Sequence, residues 1–126
     1  MYSDTERVLS LLKNAIKEME LIGSMSEPIK EPNDFGTNLE GITIFRACSM
    51  SLQYITETFV KIRNLCGAEY FAKYKEVKWK DVFGMRNFLS HEYVEVDEVA
   101  IFSTIKEDIP KLKETSKRIM DDLQKS

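Results

Sequence analysis

Apolar residues near the N-terminus recur at helical steps: Val8, Leu12, Ala15, Met19 and Ile22, spaced 4, 3, 4 and 3. That is the single buried stripe of an amphipathic α-helix, and it excludes the period-two alternation of a half-buried strand. The stepping returns in Cys48, Leu52, Ile55, Phe59, Ile62 and Cys66. The one β-branched patch, Val94 to Val99, is short and broken by acids. These patterns predict an all-α fold, an antiparallel four- to five-helix bundle forming a single domain over residues 1–126.

Caps and breakers set the expected boundaries. Asp4 reads as the N-cap of the first helix and Gly23 as its stop. Pro28, Pro32 and Gly36 make residues 23–38 a loop, long for a bundle connection, a length that goes with mobility or function. The second helix is expected from about Leu39 to Leu65. Ile42, Ile44, Phe45, Met50 and Tyr54 widen its apolar surface, interrupted by Arg46, Gln53 and Arg63. A helix apolar around most of its girth is either central or packs against a second protomer. Gly67 ends it, and a short piece from Ala68 to Tyr74 follows. The next helix runs from about Trp79 to Ser90 or Glu92. Asp97 reads as a cap for a helix carrying Val99, Phe102 and Ile105. Asp108-Ile109-Pro110 reads as a break and restart, because aspartate caps and proline fits a first turn. The last helix runs to about Gln124 with Leu112, Ile119 and Leu123 inward.

Charge and cysteine content narrow the function classes. Lys and Arg number 18 against 21 Asp and Glu, a net charge of −3. That balance argues against a protein that coats nucleic acid through its overall field, and DNA is not an expected partner. A lysine-rich connection, Lys73, Lys75, Lys78 and Lys80, is broken by Glu76. It is either a solvated loop or an edge that steers an anionic ligand. No apolar run approaches the ~18 residues of a membrane helix, and the N-terminus lacks the pattern of a signal peptide, so a cytoplasmic protein with no membrane association is expected. Cys48 and Cys66 on one helix would stand about 27 Å apart, too far for a disulfide, and read as small buried hydrophobes. With one histidine and no Cys-x-x-Cys, no zinc site within one chain is expected, and no cofactor.

One stretch carries chemistry: Arg86-Asn87-Phe88-Leu89-Ser90-His91-Glu92-Tyr93. At 100° per residue, Val82, Met85, Leu89 and Tyr93 share one arc, while Gly84, Arg86, Asn87, Ser90 and His91 occupy the adjoining polar arc. Gly84 there costs about 1 kcal/mol of helix propensity relative to alanine, which suggests a close approach to the backbone. A neutral imidazole, with an unperturbed pKa of about 6.5, can take a proton from a ribose 2′-OH. A guanidinium can grip a phosphate with two parallel hydrogen bonds and offset the charge that develops at phosphorus. His91 and Arg86 are therefore the candidate catalytic pair, with Asn87 placed to orient the imidazole and Ser90 to add a donor. The plainer reading of His91 is a helix-end or surface histidine.

The run Trp79 to Tyr93, followed by Val96-Asp97 and Glu107-Asp108-Ile109-Pro110-Lys111-Leu112, resembles the HepT-like branch of the HEPN domains. Arginine, four residues, histidine, one residue, tyrosine marks that branch, and Arg86, His91 and Tyr93 keep its spacing. Leu39 to Gln53 resembles its long second helix. The resemblance implies an all-α homodimer in which two Arg/His motifs meet in a cleft. It implies metal-independent endoribonuclease activity on RNA, acting as the toxin of a toxin–antitoxin pair. It further implies a minimal nucleotidyltransferase antitoxin as partner, which silences the toxin by transferring AMP onto Tyr93. The plainer reading of Tyr93 is a core-edge tyrosine with its hydroxyl in water. The alternative function is a non-catalytic helical module that engages a nucleotidyltransferase or a nucleotide.

Overall fold

A computed structural model describes residues 3–91 and 97–125, with residues 86–91 described as backbone alone. Five α-helices follow in order: α1 (Asp4–Met25), α2 (Leu39–Cys66), α3 (Trp79–His91), α4 (Glu98–Ser103) and α5 (Ile109–Lys125). Two 3₁₀ turns, Pro32–Phe35 and Ala68–Lys73, and a π-helical turn, Thr104–Asp108, complete the chain, and the described residues contain no strand. The fold is the expected all-α bundle. No helix among the described residues is long and apolar enough to cross a membrane.

All five stripe residues of α1, Val8, Leu12, Ala15, Met19 and Ile22, are buried. Its cap is Ser3 rather than Asp4: the Ser3 hydroxyl accepts from the Glu6 amide at 3.1 Å, and Asp4 falls in the first turn. The helix also runs through Gly23 to Met25. A single interior glycine lowers helix propensity by only about 1 kcal/mol, less than the packing of the turns around it supplies.

The connection to α2 is anchored to the core. Ile29 and Phe35 are buried, and the Phe35 ring meets Phe45 edge-on at 5.0 Å. The Asp34 carboxylate accepts from the Lys30 and Glu31 amides at 2.8 and 3.2 Å, which closes the turn. The turn lies directly on the α2 backbone, because a Cβ at Gly41 would collide with the Asp34 carbonyl. Gly41 is glycine to permit that approach.

Asn38 caps α2 by accepting from the Gly41 amide at 2.9 Å, and Gly67 ends the helix at φ 92°, a region that favours glycine. This helix is the centre of the fold, packed against α1, α3 and both 3₁₀ turns. Its girth is not fully covered, however. Leu39, Ile42, Met50 and Tyr54 remain exposed, Leu39 at 78% and Met50 at 76%. They fall within one arc of the helix, with Arg46 and Gln53 between them.

Asp97 caps α4 as expected, accepting from the Val99 amide at 2.9 Å. The expected break at Asp108-Ile109-Pro110 does not occur: α4, the π turn and α5 follow without interruption. The Ile109 amide bonds to the Thr104 carbonyl, five residues back. This wider turn absorbs the residue that the missing Pro110 amide would leave out of a regular ladder, so the proline is tolerated inside a helical run. Lys106 in the π turn donates to the Ser26 carbonyl at 3.0 Å, tying the turn to the end of α1.

Candidate active site

Helix α3 carries the candidate residues, and an aromatic cluster sets its position. The Trp79 ring lies 4.4 Å from Phe71 and 5.6 Å from Phe59 of α2, and its indole N–H donates to the Tyr74 carbonyl at 2.8 Å. Phe83 packs one turn later, 5.6 Å from Phe71, and its ring carries the Arg63 guanidinium at 4.3 Å. The first two turns of α3 are thus fixed to α2 by ring contacts, and the turns bearing Arg86 and His91 extend from that anchor.

The connection before α3 is held on its other side by α5. Tyr74 is buried and its hydroxyl donates to Asp122 at 2.7 Å. Burial and that hydrogen bond raise its pKa above the usual phenol value. Glu76 pairs with Arg118 at 3.0 Å and accepts from the Thr115 hydroxyl at 2.9 Å. Its own backbone N–H, together with Thr115 and Arg118, holds its carboxyl below the ordinary carboxylate range. The acid that breaks the lysine run in sequence is therefore engaged by α5.

Two faces of α3 differ in what they meet. Val82 and Met85 line a cavity of about 220 Å³ between α2, α3 and the π turn. Leu52, Ile55 and Leu112 give it apolar walls, while Lys78, Asp81, Glu107 and Asp108 bring charge to it. Sequence reasoning did not assemble this cavity, because the π turn that brings Thr104, Glu107 and Asp108 to it has no periodic signature. Across the helix, Gly84 is exposed, and a Cβ built there would meet nothing within 4 Å. The close approach expected at Gly84 therefore does not come from the described part of this chain.

Arg86, Asn87, Ser90 and His91 all lie within α3, so the structure keeps them on one continuous helix. In helical register Asn87 and His91 continue the Gly84 face, one and two turns on, and Arg86 stands at the border with the Val82 face. Arg86 and His91 are separated by about 7.5 Å along the axis. Tyr93 lies outside the described residues.

Burial pushes the Cys48 thiol up to about 11, against the opposing charge of Lys106, and burial also raises Cys66. Among the described residues no three His, Cys, Asp or Glu side chains gather as a metal site.

The profile of the family described as Ribonuclease HepT-like matches residues 12–119, a span that contains the whole Arg86 to His91 run. A candidate RNase of Methanocaldococcus jannaschii is 29% identical over 96 residues, covering 75% of this chain and 84% of that protein. A second protein of that organism, named as a gamma-glutamylcyclotransferase and candidate RNase, is 33% identical over 117 residues. That match covers 91% of this chain but 48% of the relative, so this chain spans about half its length. A candidate RNase of Caldanaerobacter subterraneus subsp. tengcongensis is 39% identical over 75 residues, 60% of this chain and 63% of the relative. No solved structure matches the chain.

Proposed function

Since the chain belongs to the HepT-like ribonuclease family, we propose that it is a metal-independent endoribonuclease working through Arg86 and His91. The observation that carries this reading is the family match across residues 12–119 together with the intact Arg86–His91 spacing on one helix. His91 as neutral imidazole takes the proton of a ribose 2′-OH. The freed oxygen attacks the adjacent phosphorus, forming the 2′-O–P bond and breaking the P–O5′ bond. Arg86 holds the non-bridging oxygens and offsets the charge that builds on them. Asn87 and Ser90 are supporting donors on the same helix.

The cleft is formed by two protomers, and His91 of the second protomer supplies the proton that the leaving 5′-oxygen needs. The uncovered Leu39, Ile42, Met50 and Tyr54 line of α2 supports a homodimer, as an apolar face of that extent calls for a cover. The protein acts as the toxin of a toxin–antitoxin pair in the cytoplasm. Its antitoxin is a minimal nucleotidyltransferase that joins AMP to the Tyr93 hydroxyl. Tyr93 follows Arg86 by seven residues in the sequence. A nucleotide there adds negative charge and bulk where RNA enters.

The test is expression of the chain and of its His91→Ala variant in growing cells. The parent should arrest growth, and the variant should be harmless while remaining dimeric. Equal toxicity of the two would overturn the assignment.

A further inference from the structure

Lys80, Gly84, Asn87 and His91 fall on one line of α3, at steps of 4, 3 and 4. The part of that line that precedes the catalytic pair has three properties. Gly84 is exposed and its backbone is open: apart from its own chain neighbours and the backbone of its own helical turns, no atom of the described chain lies within 4 Å of the position a Cβ would take. Lys80 is exposed one turn earlier, and among the described residues no ion pair engages Lys75, Lys78 or Lys80. The acids nearest Lys80 in sequence are turned to other groups: Glu76 meets Arg118 and Thr115, and Asp81 lines the cavity that Lys78 also lines.

Building on the ribonuclease reading, we propose that Lys80 and Gly84 form an RNA-backbone subsite that extends the Arg86/His91 centre toward the start of α3. Lys80 holds a phosphate further along the strand from the scissile one, as a point charge. Gly84 lets the sugar–phosphate chain lie against bare helix backbone, an approach that any side chain would prevent. The line from Lys80 to His91 covers about 16 Å of helix, so the strand is held at separated points rather than at the reacting phosphate alone. An acidic protein can bind an anionic polymer in this way, because positive charge is local and unpaired along one edge.

The proposal is tested by binding of a fluorescent single-stranded RNA to the His91→Ala protein, which holds substrate without cutting it. Against that parent stand Lys80→Ala and Gly84→Gln. The subsite predicts that Gly84→Gln binds RNA roughly tenfold more weakly, while it keeps the parent's oligomeric state and melts no lower than the parent. It predicts that Lys80→Ala lowers the slope of log affinity against log salt by about 0.7, the loss of one single-strand phosphate contact. RNA affinities equal to the parent's in both variants would overturn the subsite and leave the ribonuclease reading standing. A change of oligomeric state in Gly84→Gln would make this face a contact between chains and also overturn it. A parent that binds no RNA at all would overturn both readings together.

Discussion

The Arg63 guanidinium sits 4.3 Å from the centre of the Phe83 ring, joining the last turns of α2 to the residue that precedes Gly84. With the Trp79 and Phe71 rings behind it, this contact sets the roll of α3 about its axis. The roll decides which face carries Lys80 and Gly84 to the outside. Replacing Arg63 by alanine should cost about 0.5–1 kcal/mol in urea unfolding, the range for a partly exposed cation–π pair. An Arg63→Lys variant should recover part of that loss. A null result in both would mean that the rings alone fix α3.

Two glycines should respond to alanine with opposite signs. At Gly41 a Cβ would strike the Asp34 carbonyl, so Gly41→Ala must displace the 3₁₀ turn and should destabilise by about 1–3 kcal/mol. At Gly84 nothing stands in the way, so Gly84→Ala should stabilise, by up to about 1 kcal/mol. Thermal melts of the two variants beside the parent check both signs at once.

Stability should depend on pH at both ends through the ties between the α3 connection and α5. Glu76 has a folded pKa below its ordinary value of 4.5. Its contribution is therefore present above that value and is lost as pH falls through the lower folded one. Tyr74 has a folded pKa raised above 10.0, so its contribution is full below that value and is lost as pH rises beyond it. Unfolding midpoints measured from pH 3 to 11 should show a weaker acid decline in Glu76→Gln and a weaker alkaline decline in Tyr74→Phe. At neutral pH, Tyr74→Phe should cost about 1–2 kcal/mol for the hydrogen bond to Asp122.

Coexpression with an active nucleotidyltransferase partner should add one or more AMP masses to the chain, and peptide mapping should place them on Tyr93. An unmodified Tyr93 under those conditions would contradict the proposed silencing.

Much of the fold is readable in the sequence because burial in a bundle follows helical period. The α1 stripe, the Asp97 cap and the extent of α2 all rest on that period or on local cap chemistry. The misreadings share a different origin. Ser3 and Asp4 can both cap, and one position of register decides between them. Gly23 looks like a stop, but no left-handed residue is needed where the helix is carried on to Met25. The burial of Phe35 depends on contact with Phe45 of α2, not on a local pattern. The π turn arises from fitting Pro110 within a longer helical run, a tertiary outcome that a Pro-based break rule does not capture. In the site, register alone puts Gly84, Asn87 and His91 on one line. That Glu76 is engaged by Arg118 could only be seen once α5 was in place.

The central claim is that Arg86 and His91 cut RNA without a metal ion. The direct measurement is incubation of purified parent and His91→Ala protein with RNA in the presence of EDTA, followed by analysis of fragment ends. The account predicts fragments ending in 2′,3′-cyclic phosphate from the parent and none from the variant. Undiminished cleavage by His91→Ala, or parent cleavage abolished by EDTA, would contradict it.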